Sequence, residues 1–474
     1  MLGTLEGGRL ALEEVHRFSN GPVAVRGTLR WDMLRIFEEL KTGMRKLSGR
    51  RIGGISSISC DSWGVDYVLL AGDEPMVGLP FHYRDGRTEK GYERAFALMS
   101  ADEIFQETGI QFMTLNTLYQ LHDDLLKRPA VLAAADQFLC VGDYFNYLFS
   151  GAGVAEESLA STTQCYNPFR RAWSETIISK FGFPRKIFPA IVPSGTALGG
   201  LSPALAAETG LSDLQVIATC SHDTGLAVAA VPAEGDDWAF LSSGTWSLLG
   251  VELTGPVVTK KSREYNFTNE VGYGRSIRFL KNIIGLWIVQ ECRREWMKDD
   301  QEYSYDELTR LAAASEPLKY LINPNDDRFG KPGDMPAKIR MFCRETGQRE
   351  PGSPAEHIRC VLDSLALLYR RVLDQMEDAT GRHLSVLHIV GGGSRNRLLN
   401  RLSADATGRT VWAGPDECTA AGNVLIQALT LGHLESLREA RAVVRRSFPI
   451  ERFEPAERAV WAEAYERFQA LIKR

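Results

Sequence analysis

The stretch VIATCSHDTGLAVAAVPAEGDDWAFLSSGTWSLLG, residues 216–250, decides the fold. It contains an apolar run, a short polar segment around Asp223, a helix of small residues, an acidic turn, and a second apolar run that enters the loop 242–245. Short apolar runs that alternate with a helical segment are typical of an α/β domain. The stretch therefore predicts two strand ends that carry polar groups, separated by a short helix.

Asp223 and the loop 242–245 together favour phosphoryl transfer. Asp223 follows a strand, and Thr224 and Gly225 come directly after it where a helix begins. The sequence Ser-Ser-Gly-Thr of the loop is rich in hydroxyls and backbone amides, which can hold phosphate oxygens. A carboxylate near such a loop is suited to act as a base in phosphoryl transfer. Two alternatives stay open: Asp223 is a helix N-cap, and the loop is an ordinary turn.

The composition describes a globular protein and excludes several classes of partner. The chain has 474 residues, of which 44% are hydrophobic and 24% charged, with a net charge of −5. This length exceeds what one hydrophobic core usually supports, so two domains are expected. The slight negative charge gives no electrostatic case for nucleic acid or an anionic membrane. Without an apolar run long enough for a membrane span, and without a secretory signal, we expect a cytoplasmic protein with small-molecule partners.

Eight cysteines are scattered along the chain without a CxxC pair. Their spacing therefore does not favour a zinc or redox motif. In a chain without an export signal, cysteines are mostly reduced and buried. Cys343 and Cys360 flank a loop rich in glycine and proline that could bring them together.

The first hundred residues predict a sheet and a polar break within it. Residues 1–18 predict a hairpin with a Glu-Gly-Gly turn, and a helix is predicted from Trp31 to about Leu47. Residues 55–70 predict two strands separated by the polar segment 61–66. Its two aspartates are most simply turn residues. A Trp-Gly pair between two carboxylates is also typical of a sugar site, in which a flat ring lies beside acceptors for hydroxyls.

Polar residues within apolar surroundings mark a second candidate for ligand contacts. In QFMTLNTLYQLH, residues 111–122, Asn116, Thr117 and Gln120 stand among apolar neighbours. Buried polar groups need partners, and a ligand could be one.

Residues 383–396, HLSVLHIVGGGSRN, predict a strand, a triple-glycine turn and a helix. The dinucleotide fingerprint G-x-G-x-x-G is not matched, because Asn396 stands at the third glycine position. The glycines can still let a nucleotide lie against the backbone near a helix N-terminus. Further along, Ala420, Ala421 and Gly422 begin a helix of small residues, which tight helix packing explains equally well.

Together these motifs resemble the FGGY group of carbohydrate kinases and, within it, the rhamnulokinase family, over nearly the whole chain. HDT and SSGTW are typical of the FGGY group broadly, whereas WGVD, NTLYQL and NPNDDRF narrow the resemblance. The segments that carry it are SISCDSWGVDYVLL (57–70), GLPFHYRDGRT (78–88), GIQFMTLNTLYQL (109–121), SHDTGLAV (221–228), LSSGTWSLLG (241–250), FLKNIIGLW (279–287), INPNDDRF (322–329) and LHIVGGGSRN (387–396).

The resemblance implies an α/β protein with two actin-like (ribonuclease H-like) ATPase domains. Each would contain a mixed five-stranded sheet, with sugar and ATP in the cleft between the domains. The expected domains are residues 1–231 for the sugar and residues 232–474 for the nucleotide. In the family, a first strand and a glycine-rich phosphate loop precede the hairpin. The expectation is therefore that this chain starts after them and lacks a strand between the hairpin and the strand at 55–59.

The resemblance also implies a reaction, in which the γ-phosphate of ATP passes to the 1-hydroxyl of L-rhamnulose with Mg²⁺ present. Asp223 would be the base. No metal ligand is identified. The sugar contacts would be Gly64, His222, Asp223, Thr224 and Asn282, and the nucleotide contacts Thr245, Gln290 and Gly392.

Two other functions remain possible at this point. One is a kinase of another ketose or deoxy sugar within the FGGY group. The other is a catalytically impaired protein that binds sugar, because the first phosphate loop of the family does not occur in the chain.

Overall fold

The computed structural model describes residues 1–50, 54–72 and 74–472 and consists of alternating strands and helices. The strands are β1 (Leu2–Glu6), β2 (Arg9–Glu13), β3 (Val23–Val25), β4 (Thr28–Arg30), β5 (Ser57–Ile58), β6 (Tyr67–Leu70), β7 (Gln137–Cys140), β8 (Ala155–Glu156), β9 (Tyr166–Asn167), β10 (Ala172–Trp173), β11 (Ile191–Val192), β12 (Thr196–Gly200), β13 (Gln215–Ala218), β14 (Trp238–Ser243), β15 (Trp246–Leu253), β16 (Thr268–Val271), β17 (Ile277–Ile284), β18 (Val386–Val390), β19 (Thr410–Ala413) and β20 (Glu451–Phe453).

The α-helices are α1 (Met33–Ser48), α2 (Glu89–Leu98), α3 (Ala101–Thr108), α4 (Thr117–Lys127), α5 (Pro129–Ala134), α6 (Val141–Ser150), α7 (Glu157–Thr162), α8 (Glu175–Phe181), α9 (Pro203–Thr209), α10 (Asp223–Ala229), α11 (Lys260–Glu264), α12 (Trp287–Met297), α13 (Tyr305–Ala313), α14 (Asp327–Gly330), α15 (Met335–Glu345), α16 (Pro354–Thr380), α17 (Arg397–Thr407), α18 (Cys418–Thr430), α19 (Leu437–Ser447) and α20 (Arg458–Ile472). Single 3₁₀ turns occur at Gly86–Thr88, Arg185–Ile187, Tyr273–Arg275 and Gly392–Arg395.

The chain forms two compact units, and neither is continuous in sequence. Unit 1 consists of Met1–Ala230, Glu252–Phe279 and Thr419–Ser447. Unit 2 consists of Val231–Val251, Leu280–Cys418 and Phe448–Arg474. The division into continuous domains 1–231 and 232–474 stays a prediction.

The N-terminal hairpin and first helix of unit 1 form where the sequence predicts them. Strands β1 and β2 pair antiparallel from Leu2 with Glu13 to Glu6 with Arg9. Helix α1 starts after Asp32, whose side chain accepts a hydrogen bond from the backbone N–H of Arg35, as expected of an N-cap. The helical spacing of apolar residues is therefore a sufficient signal for this element.

The central strands of unit 1 are short. Strand β13 pairs antiparallel with β12 and parallel with β5, which has only two residues. Beyond β5, the side-chain amide of Asn146 accepts from Cys60 N–H and donates to Cys60 C=O, at 2.8 and 2.9 Å. This amide side chain satisfies the backbone of Cys60, and β6 pairs separately with β7. Among the described residues, the sheet that contains β13 has three strands, whereas five were expected.

Unit 2 contains a mixed sheet in which β17, β15, β14, β18, β19 and β20 follow one another. Strand β14 pairs antiparallel with β15 and parallel with β18. Strand β19 pairs parallel with β18 and antiparallel with β20. Among the described residues the strand count here also departs from five, because β17 and β20 flank the four strands β15, β14, β18 and β19. The turns after β14 and β18 lie at the ends of adjacent parallel strands.

All eight cysteines are free, and Cys343 and Cys360 are both buried. Within the part of the chain that the structure describes, no helix is long and apolar enough to cross a membrane.

Candidate active site

The backbone of unit 1 brings the polar segment 61–66 beside the segment that carries Asp223. Ser62 N–H donates to Ser221 C=O and Asp223 N–H donates to Ser62 C=O, both at 2.9 Å. Ser62 and His222 form a parallel bridge between these segments. Because side chains alternate along extended backbone, Asp61 and Asp223 emerge on the same side of the pair. Two carboxylates are thus placed together by backbone hydrogen bonds.

Asp223 is the first residue of helix α10, and His222 holds the N-cap position without a side-chain cap bond. The Oδ1 atom of Asp223 accepts from Thr224 N–H at 2.5 Å and from Thr224 Oγ1 at 3.1 Å. The Asp223 side chain remains 45% exposed. The N-cap alternative therefore does not describe this residue, although its carboxylate does satisfy one backbone N–H of the first turn.

A buried ion pair lies behind His222. Arg278 Nη1 is 3.1 Å from Glu270 Oε2, and Arg278 Nη2 is 3.1 Å from His222 Nδ1. Arg278 also donates from Nε and Nη2 to the backbone carbonyl of Val271. Burial would raise the pKa of Glu270, but the Arg278 charge, followed by His222, holds that pKa below its usual range. The pair is therefore ionised and lies against the Nδ1 edge of the imidazole.

Asp61 is tied to the C-terminal part of unit 1. Asn423 Nδ2 donates to Asp61 Oδ1 at 2.6 Å, and Gln427 Nε2 donates to Asn423 Oδ1 at 2.6 Å. Burial raises the pKa of Asp61 to about 6; the Asn423 hydrogen bond opposes the rise and the charge of Asp223 adds to it. A second carboxylate that gains a proton just below neutral pH therefore accompanies Asp223.

Gly64 and Trp63 have structural partners in unit 1. A Cβ atom on Gly64 would lie 2.9 Å from Thr162 Oγ1, so only glycine fits there without displacement. The ring of Trp63 lies 4.3 Å from that of Trp31, and the indole N–H groups of both donate to Asp66 Oδ2. Burial raises the pKa of Asp66 to about 6 despite these hydrogen bonds. The Trp-Gly segment is thus fixed by aromatic packing and a buried carboxylate.

The polar residues of α4 are satisfied within the protein and need no ligand. Thr117 Oγ1 and Gln120 Nε2 both donate to Val65 C=O, and Gln120 also donates to the Asp66 carboxylate. Asn116 donates to the Gln111 carbonyl. Thr117 and Gln120 hold the loop that contains Asp66, and all three side chains have partners within the protein.

In unit 2, the loop 242–245 is a tight hairpin between β14 and β15. Gly244 N–H donates to Trp246 C=O at 2.8 Å. The carbonyls of Gly244 and Thr245 accept from the N–H groups of Leu286 and Trp287 at the start of α12. Thr245 Oγ1 lies 3.3 Å from Gln290 Oε1 on the same helix. Two of the three predicted nucleotide residues, Thr245 and Gln290, are therefore adjacent.

The glycine turn after β18 packs against the same hairpin. A Cβ atom on Gly391 would lie 3.1 Å from Ser243 C=O, and one on Gly393 would lie 2.1 Å from Ser243 Oγ. A Cβ atom on Gly392 would meet nothing within 4 Å. Two of the glycines thus permit close contact with β14, while Gly392 faces open space.

The remaining predicted sugar contact, Asn282, lies on β17 in unit 2, whereas Gly64, His222, Asp223 and Thr224 all belong to unit 1. Its neighbour Lys281 is half-buried, and desolvation, together with the charge of Arg371, lowers the Lys281 pKa to about 8. Among the described residues, no group of three or more His, Cys, Asp or Glu side chains could hold a metal ion.

Sequence reasoning missed Glu270, Arg278 and Asn423 as parts of the site. Glu270 lies on β16, which is buried throughout, and Arg278 lies on β17 among buried apolar residues. A charged residue within a buried strand needs a partner of opposite charge, and that is the signal that could have found the pair. Asn423 carries no comparable signal, because polar residues are common on helix surfaces.

Comparison with known proteins identifies the family of the chain. The N-terminal domain of the FGGY family of carbohydrate kinases matches residues 16–230, and its C-terminal domain matches residues 239–431. A rhamnulokinase of Bacteroides thetaiotaomicron is 41% identical over 100% of this chain and 96% of that protein. A rhamnulokinase of Enterococcus faecalis is 41% identical over 99% of this chain and 94% of that protein.

Solved structures show the same fold at low identity. A gluconate kinase of Lactobacillus acidophilus superimposes with a TM-score of 0.81 at 14% identity, covering 98% of this chain and 93% of that one. The glycerol kinase of Plasmodium falciparum, solved with ADP, gives a TM-score of 0.77 at 14% identity, covering 96% and 92% of the two chains. The two-domain, actin-like fold is therefore confirmed, and the chain belongs to the FGGY family of carbohydrate kinases.

Proposed function

We propose that this chain transfers the γ-phosphate of ATP to the 1-hydroxyl of L-rhamnulose, giving L-rhamnulose 1-phosphate and ADP, as a step of L-rhamnose catabolism. The observation that carries the proposal is the 41% identity to rhamnulokinases over essentially the whole chain. Because ATP is a cytoplasmic substrate, we expect the protein to act in the cytoplasm.

Asp223 is the proposed base. Its carboxylate is partly exposed, and Oδ1 is held by two donors of Thr224. Among the described residues, none donates to Oδ2, which is therefore the oxygen available to a substrate hydroxyl. In the reaction Oδ2 accepts the hydroxyl proton, the hydroxyl oxygen forms a bond to the γ-phosphorus, and the bond from phosphorus to ADP breaks.

The other contacts follow from the same proposal. The sugar is contacted by Gly64, His222, Thr224 and Asn282. The positions of the first three support this, because His222 and Thr224 flank Asp223 and Gly64 lies on the segment beside it. The residues Thr245, Gln290 and Gly392 lie along the nucleotide.

The glycine turn after β18 supports the nucleotide contacts through the exposed Gly392. Gly392 leaves open space beside it, where a phosphate or ribose can approach the backbone. We propose that Mg²⁺ is carried mainly by the phosphates of ATP, an arrangement common for this ion; no residue is assigned to it.

Coupled ADP release tests the proposal. The protein is assayed with ATP and Mg²⁺ against L-rhamnulose, L-fuculose, L-ribulose, D-xylulose and glycerol, and the product is identified by ¹H–³¹P correlation. We expect the highest kcat/KM for L-rhamnulose and phosphate on its C1 oxygen. A higher kcat/KM for another ketose would replace the proposed substrate with that sugar. Sugar binding without ADP release from any member of the panel would favour a binding protein.

A further inference from the structure

The imidazole of His222 lies between Asp223 and the buried pair formed by Glu270 and Arg278. Its Nε2 atom is 3.5 Å from Asp223 Oδ1. On the other side, Nδ1 is 3.1 Å from Arg278 Nη2 and 3.4 Å from Glu270 Oε2. Since His222 is only 7% exposed, its Nε2 atom faces Asp223 and its Nδ1 atom faces Arg278 and Glu270.

The guanidinium of Arg278 determines which ring nitrogen can carry the proton. A guanidinium has five N–H donors and no acceptor, and it stays charged at all accessible pH values. The Nδ1 atom must therefore offer its lone pair to Arg278 Nη2. In a neutral imidazole the proton then lies on Nε2, directed at the carboxylate of Asp223.

The competing arrangement is a hydrogen bond from His222 Nδ1–H to Glu270. Glu270 Oε2 lies closer to Arg278 Nη1, at 3.1 Å, than to the imidazole, at 3.4 Å. The Arg278 side chain is fully buried and is fixed by Val271 C=O as well as by Glu270. Because the two charges of the pair neutralise each other, no further charge on His222 is needed to balance Glu270.

We propose that Arg278, held by Glu270 and the Val271 carbonyl, is a positioning residue that keeps His222 in the Nε2–H tautomer. The imidazole then donates to Asp223 Oδ1, in addition to the two donors of Thr224, and Oδ2 is turned toward the substrate hydroxyl. The catalytic part of this inference depends on the proposed function, since Asp223 is the base only there. The tautomer itself does not depend on it.

The tautomer can be observed directly, without substrate. Protein labelled with ¹⁵N in histidine gives long-range ¹H–¹⁵N correlations for the eight histidines. The His222 ring is assigned by its disappearance in His222→Gln. At pH 8 we expect a protonated Nε2 and an unprotonated Nδ1. A protonated Nδ1 in the unmodified protein would overturn the inference.

The variant Arg278→Met removes the N–H donor to His222 Nδ1 and leaves Glu270 in place. We expect the proton to move to Nδ1, opposite Glu270, and kcat to fall about 10²-fold, as for a displaced catalytic group. KM for ATP should not change. An unchanged tautomer in this variant, or a changed tautomer with unchanged kcat, would contradict the positioning role.

Two further variants keep the test decisive. Because Arg278→Met leaves a buried carboxylate, Arg278→Met with Glu270→Gln removes both charges and is expected to fold better; it should lose the fixed Nε2–H tautomer as well. Arg275→Met is the matched control, since Arg275 is 53% exposed and lies 3.7 Å from Glu157. It should keep both the tautomer and kcat. If the unmodified protein phosphorylates none of the sugars, the proposed function fails while the tautomer result still stands.

Discussion

The region around Asp223 in unit 1 is a hydrogen-bonded network of charged and polar side chains. The region around Thr245 in unit 2 is instead a close contact between a hairpin and a glycine turn, which depends on the absence of Cβ atoms. In unit 1, Asp61, His222 and Glu270 each have a polar partner that sets orientation or protonation. In unit 2, Gly393 touches Ser243 where no Cβ atom fits. Removing a charged group should therefore lower the catalytic rate in unit 1, and adding a methyl group should disturb the packing of unit 2.

The largest effect should come from neutralising the proposed base in unit 1. Asp223→Asn keeps the size of the side chain but cannot accept the hydroxyl proton, so kcat should fall by about 10²–10⁴-fold with little change in sugar affinity. Steady-state ADP release and calorimetric sugar binding measure the two quantities. Asp213→Asn, on the exposed surface of the same unit, should leave both unchanged. Near-normal turnover of Asp223→Asn would place the base elsewhere.

In unit 2, two neighbouring glycines should respond differently to the same added methyl group. Gly393→Ala places Cβ 2.1 Å from Ser243 Oγ and 2.9 Å from Ser243 C=O. Overpacking of this kind costs about 1–3 kcal/mol in the free energy of unfolding. Gly392→Ala meets no atom within 4 Å and should keep the Tm. If Gly392 lies along the nucleotide, its variant should raise KM for ATP alone; equal Tm values for the two variants would remove the distinction.

The hydrogen bond from Asn423 should stabilise unit 1 more at high pH than at low pH. The folded-state pKa of Asp61 is raised to about 6, above its unfolded value, so the carboxyl is protonated in the folded protein at pH 5 and ionised at pH 8. A hydrogen bond to an ionised acceptor contributes about 1.5–3 kcal/mol, and one to a neutral acceptor about 1 kcal/mol.

Asn423→Ala should consequently lower the free energy of unfolding more at pH 8 than at pH 5. Denaturant unfolding at both pH values measures this difference. The intrinsic contribution of Asp61 runs the other way, because a carboxyl with a raised folded-state pKa loses stability as pH rises through about 6. An equal loss at the two pH values would mean that Asp61 does not titrate in this range.

The smallest effect is spectroscopic. Because Trp31 and Trp63 donate to Asp66, whose pKa is raised to about 6, their emission should change as the pH falls through that value. Asp66→Asn should abolish the transition, and Asp213→Asn should retain it. A transition that persists in Asp66→Asn would assign it to another group.

In both regions, the sequence predicts local elements better than it predicts contacts between residues far apart in the chain. The hairpin, α1, the strand before His222 and the tight loop before Thr245 are all determined by neighbouring residues, through apolar periodicity and turn chemistry. Gly391 and Gly393 are also recognisable as positions of close approach. These parts depend on contacts that are short in sequence.

The rest depends on contacts across long stretches of chain. Glu270 and Arg278 reach His222 from strands about fifty residues away, and Asn423 reaches Asp61 across 362 positions. No periodicity encodes such pairs. Asn116 and Gln120 show the same limit, because the sequence indicates that they need partners but does not identify these as the Gln111 carbonyl and the Asp66 carboxylate.

The return of residues 419–447 to unit 1 has a consequence for biosynthesis. The backbone of α18 at Gly422 packs against that of α10 at Leu226, where a Cβ atom would lie 2.1 Å from the Leu226 carbonyl oxygen. A ribosome delivers this segment only after nearly all of unit 2 has been translated. The nascent protein thus holds Asp61 without its amide partner and α10 without its covering helix until residues 419–447 have been made, so the carboxylate region acquires its final surroundings late in synthesis.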